Sequence, residues 1–190
     1  MPKHARNARL VRESRETRIE VELELDGSGK YQVECPDPFL RHMMETLARF
    51  AGFDVRISAA GDDAHHISED LAITLGRALR EALGTRPIRR IGFAYVPMDE
   101  ALALVAVDLV DRPFAEVALP EEQFVHFLRS FALEGKFTLH NQTLRGRDNH
   151  HIIEANFKAL GLALHDATRE VSGEVRSTKG SAKFKGPRGS

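Results

Sequence analysis

Between Arg18 and Leu25 the chain reads "RIEVELEL", in which Ile19, Val21, Leu23 and Leu25 alternate with Arg18, Glu20, Glu22 and Glu24. A period of two belongs to a strand with one buried face. "DGSG" at 26–29 supplies a turn, and "KYQVEC" at 30–35 is expected to return as the hairpin partner. The period then becomes helical. In "FLRHMMETLARF" (39–50), Leu40, Met43, Met44 and Leu47 fall on one side. "FDVRISAAG" reads as a strand that runs into a short loop. "HISEDLAITLGRALREALG" reads as a second helix, with Leu71, Leu75, Ala78, Leu79 and Ala82 inward and Gly84 as its stop.

The second half replays this order. "EALALVAVDLV" and "RPFAEVALP" are expected to form a hairpin, the first strand being nearly all apolar and therefore deeply buried. "EEQFVHFLRSFALEG" is a helix, "KFTLHNQTL" a strand and "HIIEANFKALGLALHDAT" a helix whose buried stripe is Ile153, Phe157, Leu160 and Leu164. The halves align by counting. "HMMETLA" matches "HFLRSFA", and Ala72, Leu75 and Leu79 match Phe157, Leu160 and Leu164. The pattern predicts an α+β fold made of a duplicated hairpin–helix–strand–helix unit, with helices packed on one face of each sheet. Residues 1–92 form the first half and 93–181 the second, together one compact domain, with 182–190 as a flexible C-terminal tail. That end, rich in Ser, Gly, Lys and Arg, lacks a core stripe.

Composition changes little. The chain has 190 residues, 42% hydrophobic and 29% charged, with a net charge of −1. No global field favours nucleic acid or anionic lipid, and no apolar run is long enough to span a membrane. The basic N-terminus lacks the apolar core of a secretory signal. Cys35 is the single cysteine, so neither an internal disulfide nor a thiolate zinc site is available, and the cytoplasm is the expected compartment.

The nine histidines do change the picture. His65-His66 and His150-His151 each precede a glutamate by the same interval, giving HHxxE at Glu69 and Glu154. His42 lies 23 residues before His65, and His126 lies 24 before His150. An isolated HHxxE is usually a solvated helix start; two copies with matching spacers point to metal. Residues i and i+4 share a helix face, so His65 with Glu69 and His150 with Glu154 can reach one ion each. The second imidazole of each doublet is rotated by about 100° and faces elsewhere. Six imidazoles and two carboxylates divide into three His and one Glu per ion. Imidazole with carboxylate, octahedral and with two positions open, favours Mn²⁺. Asp63, Asp70 and Asp148 are candidate acceptors for ring N–H groups. His4, His140 and His165 have no matching copy.

These residues resemble the imidazoleglycerol-phosphate dehydratase family of histidine biosynthesis. The motifs are "FLRHMMETLARFAGFDV", "HHISEDLAITLG", "PMDEALALVAVDLVDRP", "DNHHIIEANFKAL" and "RSTKG", spread over about residues 6–181. The resemblance implies a fold like domain 2 of ribosomal protein S5 and dehydration of D-erythro-imidazoleglycerol phosphate to imidazole acetol phosphate. It implies two Mn²⁺ per active site, held by His42, His65, His66, Glu69, His126, His150, His151 and Glu154. It also implies a 24-mer with active sites between subunits. By motif match, Glu16, His66 and His151 are catalytic. Substrate contacts fall to Glu16, His42, Arg90, Arg112, Lys158, Ser177, Thr178 and Lys179, the cations and small donors gripping phosphate. Asp99 and Glu100 match a further element, with a supporting or neighbouring-subunit role.

The expected chemistry follows. A metal on a ring nitrogen eases formation of imidazolate, which expels the neighbouring hydroxyl to give a diazafulvene. The next C–H then becomes acidic, and Glu16 carries its proton. Thr46 and Phe50 depart from the family pattern, which has Gln and His there in many members, and the loop "GDDA" before His65 is shorter. Two other readings are a metal-dependent hydrolase or isomerase of another phosphorylated small molecule, and a non-enzymatic metal-bridged assembly. The cations at Arg90, Arg112, Lys158 and Lys179 argue against the second, because metal storage needs none.

Overall fold

The computed structural model describes residues 6–172. The first half runs β1 (Asn7–Glu13), β2 (Thr17–Glu24), β3 (Tyr31–Glu34), α1 (Pro38–Ala51), β4 (Asp54–Gly61) and α2 (Ala64–Leu83). The second repeats it as β5 (Ile91–Met98), β6 (Ala101–Asp108), β7 (Phe114–Glu116), α3 (Glu122–Glu134), β8 (Thr138–Arg145) and α4 (Asn149–Thr168). Two four-stranded sheets result, ordered β1-β2-β4-β3 and β5-β6-β8-β7. The duplicated α+β unit is therefore present, and it includes a strand in each half that the pattern did not disclose.

That strand corrects both expected hairpins. β2 pairs antiparallel with β1 and β4 along its length, which leaves no edge for residues 30–35. β3 instead pairs parallel with β4, across α1. Likewise β6 forms its hairpin with β5, and β7 pairs parallel with β8. β1 was hidden because its inward positions are mixed. Ala8 is buried, but Arg12 also turns toward the helices and binds Asp70 at 2.7 Å. β5 was hidden because its alternation is inverted. Small Gly92 and Ala94 face the helices, while Ile91, Phe93 and Tyr95 stand outward, at least half exposed. Gly92 is required where it stands: a Cβ there would lie 2.0 Å from Ala163 O of α4.

The four helices lie between the sheets. α2 covers β1 and β2, and α4 covers β5 and β6. Across the middle, α1 packs on α4 and α2 on α3, so each half's first helix meets the other half's second. One continuous core joins them, with Ile19, Val21 and Leu23 from β2, Ala103, Val105 and Val107 from β6, and the aligned stripes Ala72/Leu75/Leu79 and Phe157/Leu160/Leu164. Residues 173–190, including Ser177, Thr178 and Lys179, lie outside the described residues. No helix among those described is long and apolar enough to cross a membrane.

Candidate metal centre

The crossed helix pairing decides which histidines meet. His42 on α1 lies beside α4, where its Nε2 is 3.4 Å from Glu154 Oε2. His150 Nε2 reaches the same oxygen at 3.2 Å. Ligand atoms of His42, His150 and Glu154 all fall within 4.8 Å of one another. In the other pair, His126 on α3 faces His65 on α2, with ring centroids 5.8 Å apart, and Glu69 follows His65 by one turn of α2. Each lone histidine thus meets the doublet of the opposite half.

The helix starts fix these side chains. Asp63 and Asp148 are the N-caps of α2 and α4, accepting from His65 N, and from His150 N and His151 N. They hold backbone, not rings, which corrects their expected role as ring acceptors. Asp70 is also not a ring acceptor, since it binds Arg12 and the Thr17 hydroxyl. Asp37 caps α1, with Pro38 in the first turn, and accepts from Gln123 of α3. Phe39, one turn before His42, stacks on His150 at 4.7 Å. The sequence offered a signal for this: Phe39 and His42 are three apart on one helix face.

The second histidine of each doublet turns away, as the 100° rotation requires. His66 Nδ1 donates to Asp62 Oδ1 (3.0 Å) and lies 3.9 Å from Glu16 Oε2. His151 Nδ1 donates to Glu100 Oε2 (2.7 Å), with Asp99 3.4 Å from its Nε2. Acids occupy matching places in the two halves: Glu16 in the β1–β2 turn, Asp99 and Glu100 in the β5–β6 turn. Asp62 and Glu122, which holds His126 at 3.1 Å, were not among the sequence candidates.

Charge follows geometry. Glu100 accepts from Asp148 N, the His151 ring and Arg147 N, which together pull its carboxyl down to about 2. Its hydrogen bond pushes the His151 imidazole up, and Asp62 does the same for His66. Burial raises the Glu154 carboxyl, but Lys158 and His42 more than offset this and leave it below the usual range. Glu154 is therefore a buried carboxylate with two imidazoles on one oxygen. Such a donor set fits a divalent ion of the Mn²⁺, Fe²⁺ or Zn²⁺ type and leaves coordination positions open. His42, His126 and His150 keep 44%, 51% and 53% of their side chains exposed, so one chain alone leaves both clusters open to solvent.

The phosphate candidates divide. Lys158 stands at the cluster, its Nζ 2.8 Å from Glu154 Oε1 and 5.6 Å above the Phe50 ring. Phe50 thus seats this lysine. Thr46 is buried. Arg90 hydrogen-bonds Ala167 O through its backbone N–H, about 20 Å along α4 from Glu154, and its guanidinium grips both oxygens of Asp108. Arg112, in the β6–β7 connection, lies beside the start of β8, its carbonyl accepting from the Thr138 hydroxyl, again at the end remote from this chain's own clusters.

A model of the family described as imidazoleglycerol-phosphate dehydratase matches residues 36–164. The imidazoleglycerol-phosphate dehydratase of Saccharolobus islandicus (strain L.S.2.15 / Lassen #1) is 48% identical over 190 residues, spanning 93% of this chain and 98% of that protein. The one from Methanothermobacter thermautotrophicus is 46% identical, spanning 92% and 97%. Among solved structures, IGPD from Pyrococcus furiosus in complex with (S)-C348 superposes with a TM-score of 0.80 at 40% identity, over 91% of this chain and 100% of that one. Imidazoleglycerol-phosphate dehydratase from Staphylococcus aureus gives 0.79 at 29% identity, over 87% and 99%.

Proposed function

The chain belongs to the imidazoleglycerol-phosphate dehydratase family of histidine biosynthesis, and on that premise we propose a two-manganese, cytoplasmic lyase whose active sites lie between copies of the chain. Its reaction removes water from D-erythro-imidazoleglycerol phosphate to give imidazole acetol phosphate. The observation that carries this reading is the reciprocal crossing of His42 with His150 and Glu154, and of His126 with His65.

His42, His150 and Glu154 would hold one ion and His65, His126 and Glu69 the other. Bound there, the ions supply stabilisation of negative charge on the substrate imidazole. His66 and His151, turned from their own clusters, would complete the sets of neighbouring copies. Glu16 takes the proton from the carbon next to the one that loses its hydroxyl. Its carboxylate sits on the outward side of α2, beside His66, where a site shared with a neighbour would form. Lys158 and the remote Arg90 and Arg112, with Ser177, Thr178 and Lys179, bind the phosphate, the two arginines serving a neighbour's site.

Self-association, up to a 24-mer, also suits the surface. Ile91, Phe93 and Tyr95 stand 53%, 60% and 60% exposed on the outer face of β5 in the second sheet, a patch that a monomer rarely shows to water. The matching face of the first sheet carries Arg9, Glu20, Glu22 and Arg56 instead. The test is turnover of imidazoleglycerol phosphate, followed by NMR, together with light scattering before and after chelation and Mn²⁺ return. Metal-dependent turnover and a metal-dependent large particle are expected. Full turnover in chelator, or a monomer under both conditions, overturns the reading.

A further inference from the structure

We propose that the two ions are held unequally: Lys158 weakens the one bound at His42, His150 and Glu154 relative to the one bound at His65, His126 and Glu69. The inference rests on the two-ion reading above. The HHxxE helices align residue by residue, His65 on His150 and Glu69 on Glu154, but the position one turn beyond the glutamate is Ile73 in α2 and Lys158 in α4.

That difference is electrostatic. Glu154 Oε2 faces the two imidazoles, while Lys158 Nζ sits 2.8 Å from Oε1. An ion on Oε2 would therefore lie roughly 5 Å from an ammonium across one carboxylate. The lysine is not free to leave cheaply. Its side chain is only 18% exposed, lies over the Phe50 ring, and has its Nζ 3.1 Å from Met98 Sδ. In the first half, Ile73 brings no charge, and Arg12, which reaches that stretch of α2 from β1, is bound to Asp70 at 2.7 Å.

Preorganisation acts in the opposite direction. His42, His150 and Glu154 are already gathered, whereas Glu69 is exposed and His126 is held by Glu122. Ordering an exposed glutamate lowers affinity by about 10–30-fold at most. Repulsion between an ammonium and a dication about 5 Å apart in partly buried surroundings exceeds that. The repulsion decides the order.

The experiment titrates Mn²⁺ into the chelated, dialysed full-length protein and follows loss of the free Mn²⁺ electron paramagnetic resonance signal. Two classes of site, one of each per chain, are expected, separated by about tenfold or more. Lys158→Met should tighten the weaker class by about a hundredfold or more, past the other class, and Ile73→Lys should loosen the tighter one. Two equal sites in the wild type overturn the proposal. So does a Lys158→Met isotherm that superimposes on the wild type or lies weaker, and Ile73→Lys decides independently should Lys158→Met not fold. An undiminished free signal in the wild type overturns the two-ion reading itself, a distinct outcome.

Discussion

Replacing Gly76 or Gly161 by alanine should destabilise the chain, although it puts the strongest helix former inside a helix. Each glycine stands eleven residues after the first histidine of its doublet, at the point where the other half's helix crosses. A Cβ on Gly76 would lie 2.6 Å from Phe131 O and 2.8 Å from Gly135 N. On Gly161 it would lie 2.7 Å from Phe50 Cβ, 3.0 Å from Ala51 N and 3.1 Å from Leu47 O. Most of these are backbone atoms, which cannot rotate aside. To restore ordinary contact at 3.4 Å, the crossing helix must retreat by roughly 0.8 Å at Gly76 and roughly 0.7 Å at Gly161. Helix propensity favours alanine by about 1 kcal/mol. Overpacking costs about 1–3 kcal/mol, and the retreat also loosens contacts along the crossing. The net expectation is a loss of about 1 kcal/mol for Gly161→Ala and about 2 kcal/mol for Gly76→Ala, whose two tightest contacts are both backbone. Urea unfolding of chelated protein at matched concentration, followed by circular dichroism, reads the change in midpoint. A gain of about 1 kcal/mol in both variants, as propensity alone dictates, would refute the idea that close backbone approach sets the crossings that bring the histidines together.

Other tests address chemistry, core and pH. Glu16→Gln should lower kcat by about 10²–10⁴-fold while an imidazole phosphate ligand still binds, and near-normal turnover removes Glu16 as the proton carrier. Asn141→Ala should cost about 3 kcal/mol in urea unfolding, because Asn141 satisfies both backbone groups of Ala118 and donates to the side-chain Oδ1 of buried Asn156; an unchanged midpoint would show that network to be idle. Hydrogen bonds from Ser28 N and Lys30 N hold the Asp54 carboxyl below its usual range. Its stabilising contribution is therefore full above the ordinary carboxylate pKa and lost as pH falls through the lowered one. Asp54→Asn should be less stable than wild type at pH 7 by about 1 kcal/mol, with the gap closing in acid; a gap that persists in acid contradicts this assignment.

What the sequence disclosed follows from which signals are local. Helix periodicity and the HHxxE spacing depend on residues a few positions apart, so α1 to α4 and the outward turn of His66 and His151 were legible. Strand pairing is not local. Residues 30–35 carry a strand signal but nothing that names β4 as partner, and the turn at 26–29 suggested β2. The capping of α2 and α4 by Asp63 and Asp148 was misread for a related reason. A carboxylate two residues before an imidazole serves ring or backbone equally well on spacing, and the open N–H groups of a helix start take precedence. The crossing of lone histidine with opposite doublet was invisible too, because it depends on which helices neighbour each other in the middle layer.

That crossing has a consequence for stoichiometry. A helix can aim only one of two adjacent imidazoles at a given ion, since the other is rotated by about 100°. Of the eight proposed donors in the chain, His42, His150 and Glu154 would serve one cluster, and His126, His65 and Glu69 the other. His66 and His151 remain, each beside an acid from a hairpin turn, Glu16 and Glu100. If each chain lends these two rings and receives two, every ion gains a fourth protein ligand, and two ions per chain persist whatever the size of the closed assembly. On that proposed exchange, a monomer would not be saturated. Neither half gathers such a cluster alone, because its lone histidine meets the other half's doublet, so on the proposed reading the duplicated unit must be paired within a chain before metal could join chains.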